Sequence, residues 1–290
     1  MPMEREQEER RALSFLADGI PYQLMEECDL SWLRPYGRVF FVNDQLYSGL
    51  LCFGVEGPYG RLLIKYAGAK TVNYRGKPSD AVLLLKNAVP LYERKHPALI
   101  QLLAHGQADE GYAAIYPWRD ALPFRSAPNQ LSAREKVRRL PLHRSLKMLD
   151  MVFDLHLSLA QDGIVAVNFS DGNILIDLGS SEALLWDIDY YRRKPAVNDR
   201  GRMWGSSRFL APEEYVLGAA LDESTTLYNM AALAFEFYGN NEDRARESWI
   251  GPSQLFEVAK MATRESKADR YPSMRSFLDA WRDAVGRCRI

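Results

Sequence analysis

The sequence predicts an α+β chain in which an antiparallel sheet with one helix precedes a mainly helical half. Three observations carry this. Short apolar runs at Val39–Val42, Gly49–Val55 and Arg61–Tyr66 alternate with turn residues, Gly57-Pro58-Tyr59-Gly60 among them, as antiparallel strands do. Residues 142–161 place Leu146, Leu149, Val152, Phe153, Leu155, Leu157 and Leu159 at helical spacing, and Gly163 stops that helix. The rest of the C-terminal half offers further helices at Thr226–Tyr238, Leu255–Met261 and Met274–Ala284.

At 290 residues the chain is long enough for one large domain or two lobes. Lys and Arg number 37 against 38 Asp and Glu, so no strongly basic surface is implied and nucleic acid is not an expected partner. Cys28, Cys52 and Cys288 are odd in number and widely spaced, which suits a reducing compartment and no zinc site. No apolar run reaches the roughly 20 residues that span a bilayer. The charged start, Met1–Arg11, has no signal-peptide core. The expectation is a cytoplasmic protein with no membrane partner.

Taken in order, Glu4–Leu16 reads as a helix broken at Asp18–Pro21, and residues 1–37 as an extension before the main domain. The three strands follow. Residues 79–95 show helical spacing at Ala81, Leu84, Leu85, Ala88 and Leu91, with Ser79 or Asp80 as cap and Pro90 as an interruption. His96 reads as a helix-end or packing histidine. Tyr112–Trp118 is apolar and ends at Pro117; residues 122–139 read as loop and helix start. His156 reads as a buried helix histidine.

The most informative stretch follows Gly163. Two apolar runs flank the polar turn Leu178–Glu182, which suggests a hairpin of buried strands. Asn173 sits just before the first run, and Asp189 ends the second. The hairpin brings an amide oxygen and a carboxylate to one open end. Mg²⁺ suits such a pair, because it takes a few protein oxygens together with phosphate oxygens. Asp187 and Asp189 alternate onto one strand face. A second metal contact and a salt bridge are both open to Asp187.

In this stretch the chain resembles the eukaryotic-type protein kinase family. That family's catalytic loop runs His-Arg-Asp-Leu, three residues, Asn, then a hairpin and Asp-Phe-Gly. Here Ala166-Val167-Asn168 stands for His-Arg-Asp, Asn173 is kept, and Asp189-Tyr190-Tyr191 stands for Asp-Phe-Gly. Leu62-Leu63-Ile64-Lys65 resembles the Val-Ala-Ile-Lys strand. Gly205-Ser206-Ser207-Arg208-Phe209-Leu210-Ala211-Pro212-Glu213 resembles Gly-Thr-x-x-Tyr-x-Ala-Pro-Glu, and Arg270 matches the arginine that pairs with that glutamate.

The resemblance runs from about Arg38 to Ala284. It implies a two-lobed protein-kinase-like fold: residues 1–37 an extension, 38–120 the N-lobe, and 121–290 a helical C-lobe. It implies ATP and Mg²⁺ as cofactors and a protein or small-molecule hydroxyl as acceptor. Lys65 would hold the α/β-phosphates, Asn173 and Asp189 the Mg²⁺. Leu63, Ile115, Tyr116 and Trp118 would line the base, and Asn168 and Asp171 would orient the acceptor. Asp171 also reads as a simple turn residue before Gly172.

The departures point the other way. Asn168 cannot accept a proton. The Gly-rich loop is reduced to Gly49, Leu63 replaces a small residue, and Lys86 or Asn87 stands where the helix glutamate is expected. Thr226 replaces an aspartate beneath the catalytic loop. Two readings therefore stand together: a Ser/Thr-type phosphotransferase, and a pseudokinase that serves as a binding or regulatory scaffold.

Overall fold

A computed structural model describes residues 12–125 and 132–288. The chain is α+β and divides into two compact units. One holds the residues up to Arg94 with Gln101–Arg119, the other Lys95–Ile100 with everything from Asp120 onward.

The first unit begins with a hairpin where the sequence suggested a helix. Strands β1 (Leu13–Ala17) and β2 (Ile20–Leu24) pair antiparallel around Asp18-Gly19. Both turn residues have positive φ, 48° and 91°, the geometry that an Asp-Gly pair allows in a two-residue hairpin loop. Asp18-Gly19 does not break a helix but joins two strands. Residues 4–11 of the expected helix lie outside the described residues.

A short 3₁₀ helix at Ser31–Tyr36 leads into a five-stranded antiparallel sheet. Its strands are β3 (Arg38–Asn43), β4 (Leu50–Gly57), β5 (Gly60–Ala67), β6 (Ala104–Ala108) and β7 (Gly111–Pro117), and their order is β3-β4-β5-β7-β6. Alternation sends Leu51, Phe53, Val55, Leu62, Ile64, Tyr66, Ala113 and Ile115 to one face, where Tyr22, Leu24 and Leu33 cover them. The hairpin is therefore part of this unit's core, not an appendage to it. Asp18 Oδ2 accepts the Val39 N–H at 2.7 Å, and Asp44 Oδ2 accepts the Gln23 N–H at 2.6 Å.

Helix α1 (Pro78–Tyr92) precedes β6 in the chain and buries Ala81, Leu85, Ala88 and Tyr92. Neither Ser79 nor Asp80 is its cap. Asp80 lies one turn inside and accepts the Lys77 N–H at 3.1 Å. Pro90 does not interrupt the helix, because so near the C-terminal end its missing N–H and ring disturb only the last turn.

The second unit is mainly helical. Among its described residues, strand β8 (Leu122–Pro123) and helix α2 (Ala133–Arg138) lead to helix α3 (Leu142–Gln161). After β9 (Ile164–Val165), strands β10 (Ile174–Asp177) and β11 (Glu182–Leu185) form the expected hairpin, with β8 beside β10. Short strands β12 (Arg192–Arg193) and β13 (Ala196–Val197) pair with β9 and with β14 (Ala220–Leu221). Helix α4 (Glu223–Tyr238) is buried over nearly its whole length, and α5 (Ser253–Ala262) and α6 (Met274–Gly286) pack around it and α3. No helix of the described residues is long and apolar enough to cross a membrane.

Candidate functional site

In the first unit, Lys65 lies on the sheet face opposite the apolar core and is only 1% exposed. Its ammonium donates to the Tyr92 hydroxyl at 3.2 Å and lies within 6 Å of the Tyr92 and Tyr116 rings. The two rings meet edge to face at 5.2 Å. A buried ammonium needs such partners, since an unpaired one is costly. On α1 it is Tyr92 that accepts this bond from Lys65, seven residues after Leu85 on the same stripe. Its signal is present in the sequence, because Ala81, Leu85, Ala88 and Tyr92 continue one helical stripe.

The expected base-lining residues separate. Leu63 and Tyr116 pair across β5 and β7 on the Lys65 face. Ile115 is corrected: it belongs to the core on the opposite face, because its β7 parity matches Ala113. Trp118 N–H donates to Arg61 O at 2.9 Å, so this donor is already used inside the sheet. The Trp118 and Phe40 rings pack edge to face at 4.8 Å, with the Arg61 guanidinium 4.6 Å from the Phe40 centroid. Both rings lie on Gly54, where a Cβ would meet each of them at 2.8 Å. Gly54 pairs with Leu63, so this aromatic pair stands two residues along the sheet from Lys65.

In the second unit, the loop that follows β9 is tied to α4. Ala166 N–H donates to the Thr226 hydroxyl at 3.1 Å. A neutral oxygen thus does the holding for which the resemblance implied a carboxylate. Asn168 follows with φ +61°, a left-handed conformation that asparagine tolerates. Its side chain lies against Gly205, where an added Cβ would come within 3.1 Å of Asn168 Oδ1.

Asp171 is buried, and its Oδ2 accepts from Arg208 at 2.7 Å. Arg208 also pairs with the buried Glu236 of α4. Asp171 is therefore committed to an ion pair and is more than a turn residue. To act on an acceptor it would first have to leave Arg208.

Asn173 closes the loop. Its Oδ1 accepts the Ser170 N–H at 2.5 Å, and its carbonyl accepts the Trp186 N–H at 3.1 Å. The hairpin ladder thus continues one step past the Ile174–Leu185 pair, and Asp187 comes directly after that step. Strand β11 ends at Leu185, so Asp187 and Asp189 lie beyond it and not on one strand face. Asp187 is half-buried and nearest in register to Asn173; Asp189, two residues on, is buried.

These oxygens fit Mg²⁺ in one respect. An amide oxygen has two lone pairs, and the Ser170 N–H uses one of them. No group of three or more His, Cys, Asp or Glu able to hold a metal gathers among the described residues. An ion that completes its shell with phosphate and water suits such a sparse donor set.

Two buried groups frame this loop. His156 Nδ1–H donates to Val152 O at 2.8 Å, and Nε2 accepts from the Tyr191 hydroxyl at 2.7 Å. Burial lowers its pKa to about 4, so it is neutral and structural. Glu213 and Arg270 form a buried two-pronged pair at 2.9 Å and 2.9 Å, with the Thr225 hydroxyl donating to Glu213 at 2.8 Å. Burial pushes the Glu213 carboxyl up, and the Arg270 bonds outweigh this and leave it below its ordinary range.

The chain matches no protein-family model and no curated protein.

Proposed function

We propose that the protein is a cytoplasmic, ATP- and Mg²⁺-dependent phosphotransferase on a two-lobed protein-kinase-like fold, acting on a Ser/Thr or small-molecule hydroxyl. The observation that supports this reading is the Asn173–Trp186 backbone bond, which extends the hairpin to Asn173 on one strand and leaves Asp187 and Asp189 next in the chain on the other. Lys65, held by Tyr92, would take the α/β-phosphates. Asn173 with Asp187 or Asp189 would hold Mg²⁺, which would neutralise charge on the transferring phosphate. Asn168 would orient the acceptor hydroxyl through its amide and take no proton. Without a base the transfer is slower by about 10²–10⁴-fold.

Calorimetry of ATP binding with and without Mg²⁺ tests this, on the wild type and on Asp187→Asn and Asp189→Asn. Mg²⁺-dependent binding lost in either variant is the expected result. Equal binding in all three, or none in the folded wild type, overturns it.

A second reading, a pseudokinase scaffold, is favoured by the Phe40 and Trp118 rings seated on Gly54, beside Leu63 on the Lys65 face. Asn168→Asp separates the two. A measurable wild-type rate that rises by about 10²–10⁴-fold in the variant supports the enzyme, and an inert wild type and variant support the scaffold.

A further inference from the structure

Residues 192–204 concentrate charge. Arg192, Arg193, Lys194, Arg200 and Arg202 face a single acid, Asp199, a formal +4 in a chain whose total is −1. The remaining residues therefore carry −5. Asp199 is shared between Arg192 at 3.2 Å and Arg200 at 3.7 Å. Arg193 and Arg202 reach backbone carbonyls, of Asp162 and of Met203 and Gly205, which leave their charge in place. Arg193, Lys194, Arg200 and Arg202 are all exposed.

The cations are interleaved with the exposed rings of Trp204 and Tyr215 and the half-buried Tyr190. The Arg200 guanidinium lies 3.7 Å from the Trp204 centroid, Tyr190 meets Trp204 edge to face at 5.1 Å, and Arg202 lies 5.9 Å from the Tyr215 centroid. Stacking on a ring fixes a guanidinium without neutralising it. This surface is continuous with Asn168, because Gly205, next to Trp204, is the residue that Asn168 touches.

We propose that residues 192–204, with Tyr215, bind an acidic peptide segment, and that this segment carries the acceptor hydroxyl. The second clause rests on the phosphotransferase reading; the first does not. A short acidic peptide fits better than a long polyanion. A nucleic acid or an anionic membrane would extend past the patch onto the rest of the chain, whose formal net charge of −5 does not favour it.

Fluorescence anisotropy without ATP tests the surface. The probes are a labelled Ser-containing peptide flanked by Glu and Asp, the same peptide flanked by Lys, and a single-stranded oligonucleotide of equal charge. The acidic peptide is expected to bind the wild type about tenfold more tightly than the Lys peptide, and to weaken with salt. It should weaken about tenfold in Arg200→Glu/Arg202→Glu and also in Arg193→Glu/Lys194→Glu, a pair that spares the ring contacts. Arg200→Lys/Arg202→Lys should keep it. Equal binding of the two peptides, unchanged binding in both charge-reversal pairs, or tighter binding of the oligonucleotide overturns the proposal. ATP calorimetry on the same samples keeps the two ideas apart. Acidic-peptide binding without ATP binding sinks the enzyme and leaves the surface standing.

Discussion

The Thr226 hydroxyl accepts a hydrogen bond from the backbone N–H of Ala166 at 3.1 Å, and both residues are buried. Thr226→Val keeps the shape and removes the acceptor, which leaves a buried N–H without a partner. The expected loss is about 1–3 kcal/mol of stability in urea denaturation. Thr226→Ser should keep most of it.

Glu213 and Arg270 should behave as a unit. Arg270→Met strands a buried carboxylate and should cost about 3–5 kcal/mol. Glu213→Met combined with Arg270→Met should cost less than Arg270→Met alone. A double-mutant cycle in denaturant measures the difference.

Gly54 should tolerate no side chain. In Gly54→Val the new atoms meet the Phe40 and Trp118 rings. Overpacking of this kind costs about 1–3 kcal/mol, read as a fall in the thermal midpoint. Adding Trp118→Ala should recover part of it, because one ring no longer opposes the new side chain.

Two buried groups set opposing pH dependences. Burial pushes the Glu214 carboxyl up to about 7 from an ordinary 4.5, so the folded state binds more protons than the unfolded chain between those values. Its contribution falls as pH rises from 4.5 to 7. His156 is pushed down to about 4 from 6.5, so the unfolded chain binds more protons in that window. Its contribution rises with pH from 4 to 6.5. The two slopes oppose each other up to 6.5, and above it only the decline from Glu214 remains. Glu214→Gln should abolish that decline and uncover the rising limb, in denaturation curves taken from pH 4.5 to 7.5.

Much of the second unit was legible because its devices are local or strongly patterned. The β10–β11 hairpin follows from two apolar runs and a turn, α3 from its periodicity, and Arg270 from the segment around it. The first unit hid more. Asp18-Gly19 is a strong hairpin turn, but it reads as a helix break when the charged stretch before it is taken as helical. Tyr92 lies on a helical stripe that the sequence shows, but nothing in a tyrosine at that position announces a bond to a buried lysine. An interior strand glycine such as Gly54 does announce close approach, yet it cannot say which rings approach. The Arg208 bridge from Asp171 to Glu236 joins residues far apart in sequence, and no local pattern carries it.

The β1–β2 hairpin has one further effect. It covers an apolar face to which all five sheet strands contribute, and its Asp18 occupies the Val39 N–H on edge strand β3. A chain shortened to begin at Arg38 would leave Phe53, Ile64 and Tyr66 open to water beside a strand with a free donor. Such surfaces find one another. The hairpin therefore keeps neighbouring copies from joining edge to edge, and its loss would appear first as aggregation during expression.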